Sequence, residues 1–339
     1  MKQKNDKGLV SFIIAAYNEE KYVVECIDSC LTQTHPNIEV CLTDDGSTDK
    51  TWETLVRHYQ NESRVFIDRF DKNRGKIFAF NNSYKHSSGD YIAVIGADDV
   101  CFPHRIENSY AFLIENKCDL IFGKQLYCDV NLSPIDYGQR KFRKTHLSLS
   151  RILMDNTCSG PTFFLTRQMA EKCFPIPENL KFEDWWIAFI SILYGKVGYM
   201  NEYLTKYRQH RDNDNADIDN SHIVSRLKKD FLRHNEYYEC FYKEINSNLA
   251  LKNKERILKL IRLNAVYRNI FMKDALLGRL RLFPDLLKNI SPSVPFFAGV
   301  LLTAFGNRIY NLKRLNIYKK LFYYHSNDLH TKKLPWTGR

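Results

Sequence analysis

Short apolar runs alternate with amphipathic segments along the first half of the chain. The apolar runs predict strands at Val10–Ala16, Ile38–Thr43, Val65–Phe70, Tyr91–Ile95 and Asp119–Tyr127. Apolar residues at helical spacing predict helices at Glu19–Thr32, Ser47–Tyr59, Lys76–His86 and Pro103–Asn116. This alternation predicts an α/β fold, a Rossmann-like, mostly parallel sheet flanked by helices on both faces.

Strand patterns disappear from about residue 222 onward. Residues 222–290 have the spacing of several basic, amphipathic helices. The pattern therefore predicts a catalytic domain at residues 8–215 and a helical C-terminal region at residues 216–339.

Charge separates the same two regions. The chain has a formal net charge of +11, but residues 221–339 hold 23 lysines and arginines against 8 acidic residues. A basic region of this kind can contact nucleic acid, an acidic substrate or an anionic membrane surface, and no nucleic-acid recognition module is visible. The charge-free segment Ser291–Gly306 is too short to span a bilayer but suits a helix lying in its interface. The alternatives are a helical hairpin packed on the catalytic domain and a self-association surface.

Cysteine usage and the N-terminal sequence bear on the compartment. Nine cysteines without a Cys-x-x-Cys pair indicate reduced thiols. Met1–Lys7 is polar and is not followed by the apolar core of a secretory signal. We therefore expect a cytoplasmic protein, peripheral on the inner face of the plasma membrane.

Two adjacent acids, Asp98 and Asp99, follow the apolar run Tyr91–Ile95. Ligands bind at the carboxyl ends of the strands in an open parallel sheet, and two neighbouring carboxylates repel each other unless a positive charge lies beside them. A divalent metal that carries a diphosphate would supply that charge. The alternative is an acidic turn that precedes the helix predicted at Pro103.

Polar clusters also end the first two strands. The first is Ala15-Ala16-Tyr17-Asn18-Glu19-Glu20, and the second is Thr43-Asp44-Asp45-Gly46-Ser47-Thr48-Asp49. An aromatic ring and a carboxylate could together hold a nucleotide, although Ser47 or Thr48 could also simply cap the following helix. A Gly-x-Gly-x-x-Gly motif and a Walker-type loop are both absent from the sequence, which weakens nicotinamide-cofactor and P-loop interpretations.

These motifs occur together with Asn73-x-Gly75 and Gly89-Asp90-Tyr91-Ile92, in order and at suitable intervals. As a set, over residues 8–210, they closely resemble the family 2 glycosyltransferases, which have the GT-A fold and transfer sugars from nucleotide donors with inversion. The chain departs from the commoner pattern at Gly96, where the family often carries a further acid, and at Ala15-Ala16, where a proline is often found.

The resemblance implies roles for individual residues. Ala15, Tyr17 and Glu19 would line the nucleoside site, and Asp44 would contact the base, usually uracil. Asp98 would lie near the ribose and the metal, and Asp99 would bind the metal, Mn²⁺ or Mg²⁺.

Lys181-Phe-Glu183-Asp184-Trp185-Trp186 forms a second chemical cluster. Acids suit the first turn of a helix, but inverting transfer also needs a base that takes the proton from the acceptor hydroxyl. In the family the Asp of this pair is the usual base, which favours Asp184 over Glu183. The tryptophans could stack on an acceptor sugar or lie in the core.

A third cluster is Tyr207-Arg208-Gln209-His210. Many family members carry a Tyr-Arg-x-His segment near the diphosphate. The resemblance implies that His210 completes the metal shell or contacts phosphate and that Arg208 neutralises the leaving nucleotide.

The predicted function is inverting transfer of a hexosyl or N-acetylhexosaminyl group from a nucleotide sugar, expected to be UDP-linked, to a saccharide hydroxyl. The acceptor is expected to be lipid-linked, in the synthesis of capsule, O-antigen or a related cell-surface glycan. The alternatives are another nucleotide-sugar-using transferase and a catalytically silent, sugar-nucleotide-binding scaffold protein of a glycan-assembly complex.

Overall fold

A computed structural model describes residues 7–135, 147–153, 156, 158–210 and 236–248, together with positions 254, 255, 257, 258 and 261. The chain divides into two compact units, Met1–Ile135 with Arg143–Ile218 and Asp136–Phe142 with Asp219–Arg339. The predicted domain boundary at residue 215 stays a prediction, and the segment Ser291–Gly306 lies outside the described residues.

The larger unit is built on one mixed sheet of eight strands. The strands in chain order are β1 Val10–Ala16, β2 Ile38–Asp44, β3 Val65–Arg69, β4 Tyr91–Val94, β5 Val100–Cys101, β6 Leu120–Cys128, β7 Phe164–Thr166 and β8 Val197–Arg208. Their spatial order is β3-β2-β1-β4-β7-β6-β8-β5. The predicted strands are therefore confirmed to within one or two residues.

Pairing in the sheet is mostly parallel. Strand β1 lies between β2 and β4, both parallel to it, β3 runs parallel to β2, and β6 runs parallel to β8. The short strands β7 and β5 are antiparallel to their neighbours. The predicted mixed, mostly parallel sheet is confirmed, and the carboxyl ends of β1, β2 and β4 meet at one edge.

Seven helices accompany the strands in the described part of this unit. They are α1 Val23–Leu31, α2 Thr51–Tyr59, α3 Lys76–Lys85, α4 Arg105–Asn116, α5 Leu149–Ile152, α6 Arg167–Cys173 and α7 Glu183–Tyr194. The predicted cap of α2 is wrong: its N-cap is Lys50, and the Ser47 hydroxyl donates to Asp44 instead. A polar side chain placed to cap a helix can equally bind a nearby carboxylate.

The central strands are buried on both faces. Phe12, Ile14 and Val40 belong to the main core cluster, and Ile13 and Cys41 on the alternate positions are buried as well. Full burial of a side chain the size of Ile or Phe stabilises the fold by about 1.5–3 kcal/mol. A well-packed sheet of this kind is a rigid support for the polar loops at its carboxyl edge.

The nine cysteines all lie among the described residues, where each is buried. Their burial fits the expected place in the core, and the reduced state of the thiols stays a prediction. In the smaller unit residues 236–247 are helical, and the buried rings of Tyr237 and Tyr238 each pack on Phe241. Among the residues the structure describes, no helix is both long and apolar enough to cross a bilayer.

Candidate functional site

The loops after β1 and β2 are joined by hydrogen bonds that Asn18 both donates and accepts. Its backbone N–H donates to Ser47 Oγ at 2.9 Å, and its side-chain oxygen accepts from the Thr48 N–H at 2.8 Å. Asn18 has a φ of 59°, a left-handed conformation that asparagine tolerates better than most residues. The joined loops hold the neighbouring Tyr17 with 43% of its surface exposed, at the edge of the sheet.

Asp44 ends β2 as a fully buried carboxylate. It accepts hydrogen bonds from the backbone N–H and the hydroxyl of Ser47, and its Oδ2 lies 3.2 Å from Arg69 Nε. Burial raises the pKa of Asp44, while Ser47 and Arg69 act in the opposite direction. Ala15 on β1 lies next to Thr43 in the register, so the predicted nucleoside residues Ala15, Tyr17 and Asp44 come together at this edge.

Asp99 lies buried in the turn after β4. Its Oδ1 accepts from the Arg208 N–H at 3.0 Å, and its Oδ2 has no hydrogen-bond partner among the described residues. Burial, and secondarily the charge of Asp98, raise the pKa of Asp99 well above its ordinary value. A buried carboxylate oxygen without a partner is costly, and such groups are characteristic of ligand sites.

Gly96 stands where the resemblance leads us to expect a further acid, and the space around it is occupied by the carboxylates of Asp98 and Asp99. A Cβ atom at position 96 would lie 2.8 Å from Asp98 Oδ1 and 3.1 Å from Asp99 Oδ2. A side chain there would displace one of the two acids from its present place.

Asp98, His210 and Glu19 form the cluster of possible metal ligands in the described residues. One donor atom from each lies within 4.8 Å of the other two, and His210 Nε2 is 3.0 Å from Asp98 Oδ2. Two carboxylates and an imidazole suit a divalent ion such as Mn²⁺, so the donor set fits the predicted cofactor. Of the predicted ligands, His210 lies in this cluster and Asp99 does not, so a metal role for Asp99 stays a prediction.

Arg208 is 2% exposed and makes several internal hydrogen bonds. Its guanidinium donates to the carbonyl oxygens of Asp98 and Val130 and to the Glu25 carboxylate. The predicted contact of Arg208 with the leaving nucleotide stays a prediction, and the structure gives the guanidinium other partners.

Glu183 and Asp184 open α7, as the sequence predicted. Burial raises the pKa of Asp184 to about 7, the neighbouring Glu183 charge adds to the rise, and Lys76 opposes it. A carboxyl with a pKa near neutrality can both accept and release a proton under ordinary conditions. Such a pKa suits a general base, and the role of Asp184 as that base stays a prediction.

Lys76 is a site residue that the sequence interpretation missed. Its Nζ lies 3.6 Å from Glu183 Oε2, and its charge lowers the pKa of both Asp99 and Asp184. A signal was available, because a cation in the first turn of a helix opposes the helix dipole and needs an anionic partner. Lys76 is the first residue of α3 and directly follows the motif glycine Gly75, whose N–H donates to Asp45.

Both tryptophans of α7 lie in the core. Trp185 Nε1 donates to the Ile152 carbonyl at 2.7 Å, and Trp186 Nε1 donates to the Cys173 carbonyl at 2.8 Å. The two side chains are 4% and 5% exposed. Of the two roles left open by the sequence, the structure supports the core for both residues.

Sequence comparisons identify relatives over the same region. The family model described as glycosyl transferase family 2 matches residues 11–174. An uncharacterized glycosyltransferase of Rickettsia typhi is 30% identical over 218 residues, 62% of this chain and 67% of the relative. A putative teichuronic acid biosynthesis glycosyltransferase of Bacillus subtilis is 29% identical over 210 residues, 60% and 80% of the two chains. This chain spans about two thirds of the length of the first curated relatives it matches.

Solved structures share the fold. S. aureus TarS 1-349 in complex with UDP-GlcNAc superposes with a TM-score of 0.58 and 19% identity, covering 90% of this chain and 83% of TarS. The Pyrobaculum calidifontis mannosyltransferase PcManGT, in complex with GDP-Man and Mn²⁺, gives a TM-score of 0.54 and 16% identity over 94% of this chain and 84% of its own. The likeness confirms the predicted GT-A fold.

Proposed function

The chain belongs to glycosyl transferase family 2, and on that premise we propose that it transfers a sugar from a UDP-linked donor to a saccharide hydroxyl with inversion. One observation carries the proposal. The edge of the sheet that presents Asp44 also presents the cluster of Asp98, Glu19 and His210. A nucleotide donor needs a hydrogen-bond acceptor for its base next to metal ligands for its diphosphate.

The nucleoside end of the donor would lie against Tyr17 and Asp44. Tyr17 exposes a ring that can pack on a base. Asp44 is fully buried with no hydrogen bond to its Oδ2 in the described residues, so that oxygen would accept from a base N–H once the side chains that cover it move. Uracil offers one such N–H group. S. aureus TarS, whose fold this chain shares, is solved with UDP-GlcNAc, which supports a UDP-linked hexosyl or N-acetylhexosaminyl donor.

Glu19, Asp98 and His210 would hold the metal, Mn²⁺ or Mg²⁺. When bound, a divalent ion there would offset the charge that develops on the departing diphosphate. Asp99 stays a further candidate ligand, since its buried Oδ2 lacks a hydrogen bond in the described part of the chain. The positive charge of Lys76 acts on both Asp99 and Asp184. It therefore adds positive potential between the pair Asp98-Asp99 and the pair Glu183-Asp184.

Asp184 would act as the base. It takes the proton of the acceptor hydroxyl as that oxygen bonds to the anomeric carbon, and the bond from that carbon to the diphosphate oxygen breaks on the opposite face. The nucleoside diphosphate leaves with the bonding electrons. An α-linked donor then yields a β-glycoside.

The acceptor is proposed to be a lipid-linked saccharide of a cell-surface glycan such as capsule or O-antigen. The B. subtilis relative named for teichuronic acid biosynthesis supports a role in polysaccharide synthesis. The net charge of +15 over residues 221–339 would favour an anionic membrane, so the proposed location is the cytoplasmic face of the plasma membrane.

Thermal stabilisation by UDP, GDP and dTDP, each with and without Mn²⁺, tests the donor site. The proposal expects stabilisation by UDP that Mn²⁺ increases, followed by slow release of UDP from one UDP-sugar. Stabilisation without any release or transfer would instead identify a silent binding protein. If none of the three nucleotides stabilises the protein, the donor-site assignment is wrong.

A further inference from the structure

We infer that Arg208, clamped by Glu25 of α1, is a positioning residue that holds Asp98, Asp99 and His210 in the geometry for metal binding, and is not a ligand of the diphosphate. The inference rests on the proposed function, which gives the metal cluster its purpose. It assigns a role to Glu25 and Tyr22, two residues that neither the motifs nor the comparisons identify.

Arg208 connects to both acids of the turn after β4. Its Nε donates to the Asp98 carbonyl oxygen at 2.8 Å, and its backbone N–H donates to Asp99 Oδ1 at 3.0 Å. His210, two residues further along, has Nε2 3.0 Å from Asp98 Oδ2. The position of Arg208 therefore fixes the distance between the Asp98 turn and the chain segment that carries His210.

Two other segments hold the guanidinium in place. Nη1 donates to the Val130 carbonyl at 2.5 Å, and Nη2 contacts Glu25 Oε2 at 2.5 Å. The side chain of Arg208 is only 3% exposed, whereas that of Glu25 is 52% exposed. The fork of N–H groups on arginine suits several acceptors at fixed angles, which a lysine could not satisfy.

Tyr22, the residue before α1, packs on this assembly. Its ring centre lies 4.5 Å from Arg208 Cζ and 5.1 Å from the ring centre of His210. A phosphate that approached the guanidinium would have to displace Tyr22 or break one of the bonds to Asp98, Val130 or Glu25. Arg208 therefore acts through the groups that it holds, as residues behind metal ligands commonly do.

Charge and position predict opposite effects on metal affinity, which makes the inference testable. Replacing Arg208 with a neutral residue removes a positive charge, so simple electrostatics would strengthen Mn²⁺ binding. Loss of the clamp would weaken it, because the ligands would no longer be held together.

The test measures the affinity for Mn²⁺ alone by electron paramagnetic resonance and the affinity for UDP in EDTA, in the full-length protein. The variants are Arg208→Gln, Glu25→Gln and the double variant, with Arg57→Gln and Glu115→Gln as exposed controls. We expect both single variants to weaken Mn²⁺ binding about 10-fold to 100-fold, as loss of a group behind metal ligands typically does. The double variant should bind Mn²⁺ no more weakly than Arg208→Gln does, because the two residues act through one contact. The affinity for UDP in EDTA should change less than about twofold if Arg208 does not touch phosphate.

The opposite pattern would overturn the inference. If Arg208 binds phosphate directly, Arg208→Gln should lower the affinity for UDP in EDTA and leave the affinity for Mn²⁺ equal or higher. Glu25→Gln should then change neither affinity. Glu25→Asp, made as a further variant, keeps the negative charge but shortens the side chain, so a loss of Mn²⁺ affinity in it reports on the clamp even if Arg208→Gln unfolds. If the wild type binds Mn²⁺ and UDP but neither transfers a sugar from a UDP-sugar nor releases UDP from it, the transfer proposal fails, and the Mn²⁺ affinities of the variants still test the clamp. A wild type that binds no Mn²⁺ would overturn the clamp and the assigned metal site, whereas the transfer proposal would still be decided by the release of UDP from a UDP-sugar.

Discussion

Lys76 Nζ lies 3.6 Å from Glu183 Oε2. Its positive charge acts both on Asp99, in the turn after β4, and on Asp184, at the start of α7. It lowers the pKa of Asp99 on one side and of Asp184 on the other, each against a larger effect of burial. Burial and the Glu183 charge raise the pKa of Asp184, and the Lys76 charge opposes them, so these three effects determine how easily the proposed base loses its proton.

Lys76→Met should therefore raise the pKa of Asp184 further. A base acts only when deprotonated, so the acidic limb of the kcat/KM profile should move to higher pH, and activity at pH 6 should fall on the order of tenfold. The measurement is a pH–rate profile, with Lys85→Met on the exposed side of α3 as the control. An unmoved limb would exclude this electrostatic role.

Glu183→Gln should move the same limb in the opposite direction. The charge of Glu183 raises the pKa of Asp184, so its removal lets Asp184 ionise at lower pH. The variant also leaves Lys76 without its carboxylate partner, which favours ionised Asp184 further. Comparison of its pH profile with that of Lys76→Met separates the two charges, and shifts in the same direction would contradict the arrangement.

Asp184→Asn should lower the transfer rate about 10²-fold to 10⁴-fold, the usual contribution of a general base. Binding of UDP should be unchanged, because Asp184 belongs to the acid pair at the start of α7 and not to the nucleotide edge. Kinetics with the best donor, together with UDP titration, provide the test. Transfer at the wild-type rate would remove Asp184 from the mechanism.

Asp99→Asn should stabilise the fold while it harms function. The folded-state pKa of Asp99 is raised, so the folded protein loses stability as pH increases above the unfolded-state pKa of about 4. Asparagine has no such charge, so the gain should be absent below pH 4 and reach on the order of 0.5–2 kcal/mol near pH 7. Urea unfolding in EDTA at several pH values measures it, and a pH-independent difference would contradict the assigned cause.

Residues of the metal cluster should differ from an exposed acid outside it in their effect on Mn²⁺-dependent UDP binding. Asp98→Asn and His210→Ala should abolish the Mn²⁺-dependent part of UDP stabilisation, whereas the exposed Asp71→Asn should not affect it. Thermal shift with UDP, with and without Mn²⁺, measures the response. Equal behaviour of Asp98→Asn and Asp71→Asn would show that the cluster binds no metal.

Much of the fold could be predicted because the strands that form its centre are continuous apolar runs. Strand β1 was predicted at its observed bounds for this reason. Strand β7 has only three residues and pairs antiparallel with distant parts of the chain, so local periodicity carried no signal for it.

The site could be predicted only in part. Asp44, Asp98 and His210 stand in recognisable motifs, and the structure brings Asp98 and His210 together. The pairing of Arg208 with Glu25 joins positions 183 residues apart, which no local pattern indicates. The roles of such residues depend on three-dimensional contacts alone.

The most direct test of the proposed function is proton NMR of the reaction of the full-length protein with an α-linked UDP-sugar, Mn²⁺ and a saccharide acceptor. The predicted result is release of UDP with the appearance of a β-anomeric signal in the product, lost in Asp184→Asn. An α-anomeric product, or turnover that persists in Asp184→Asn, would contradict the proposed mechanism.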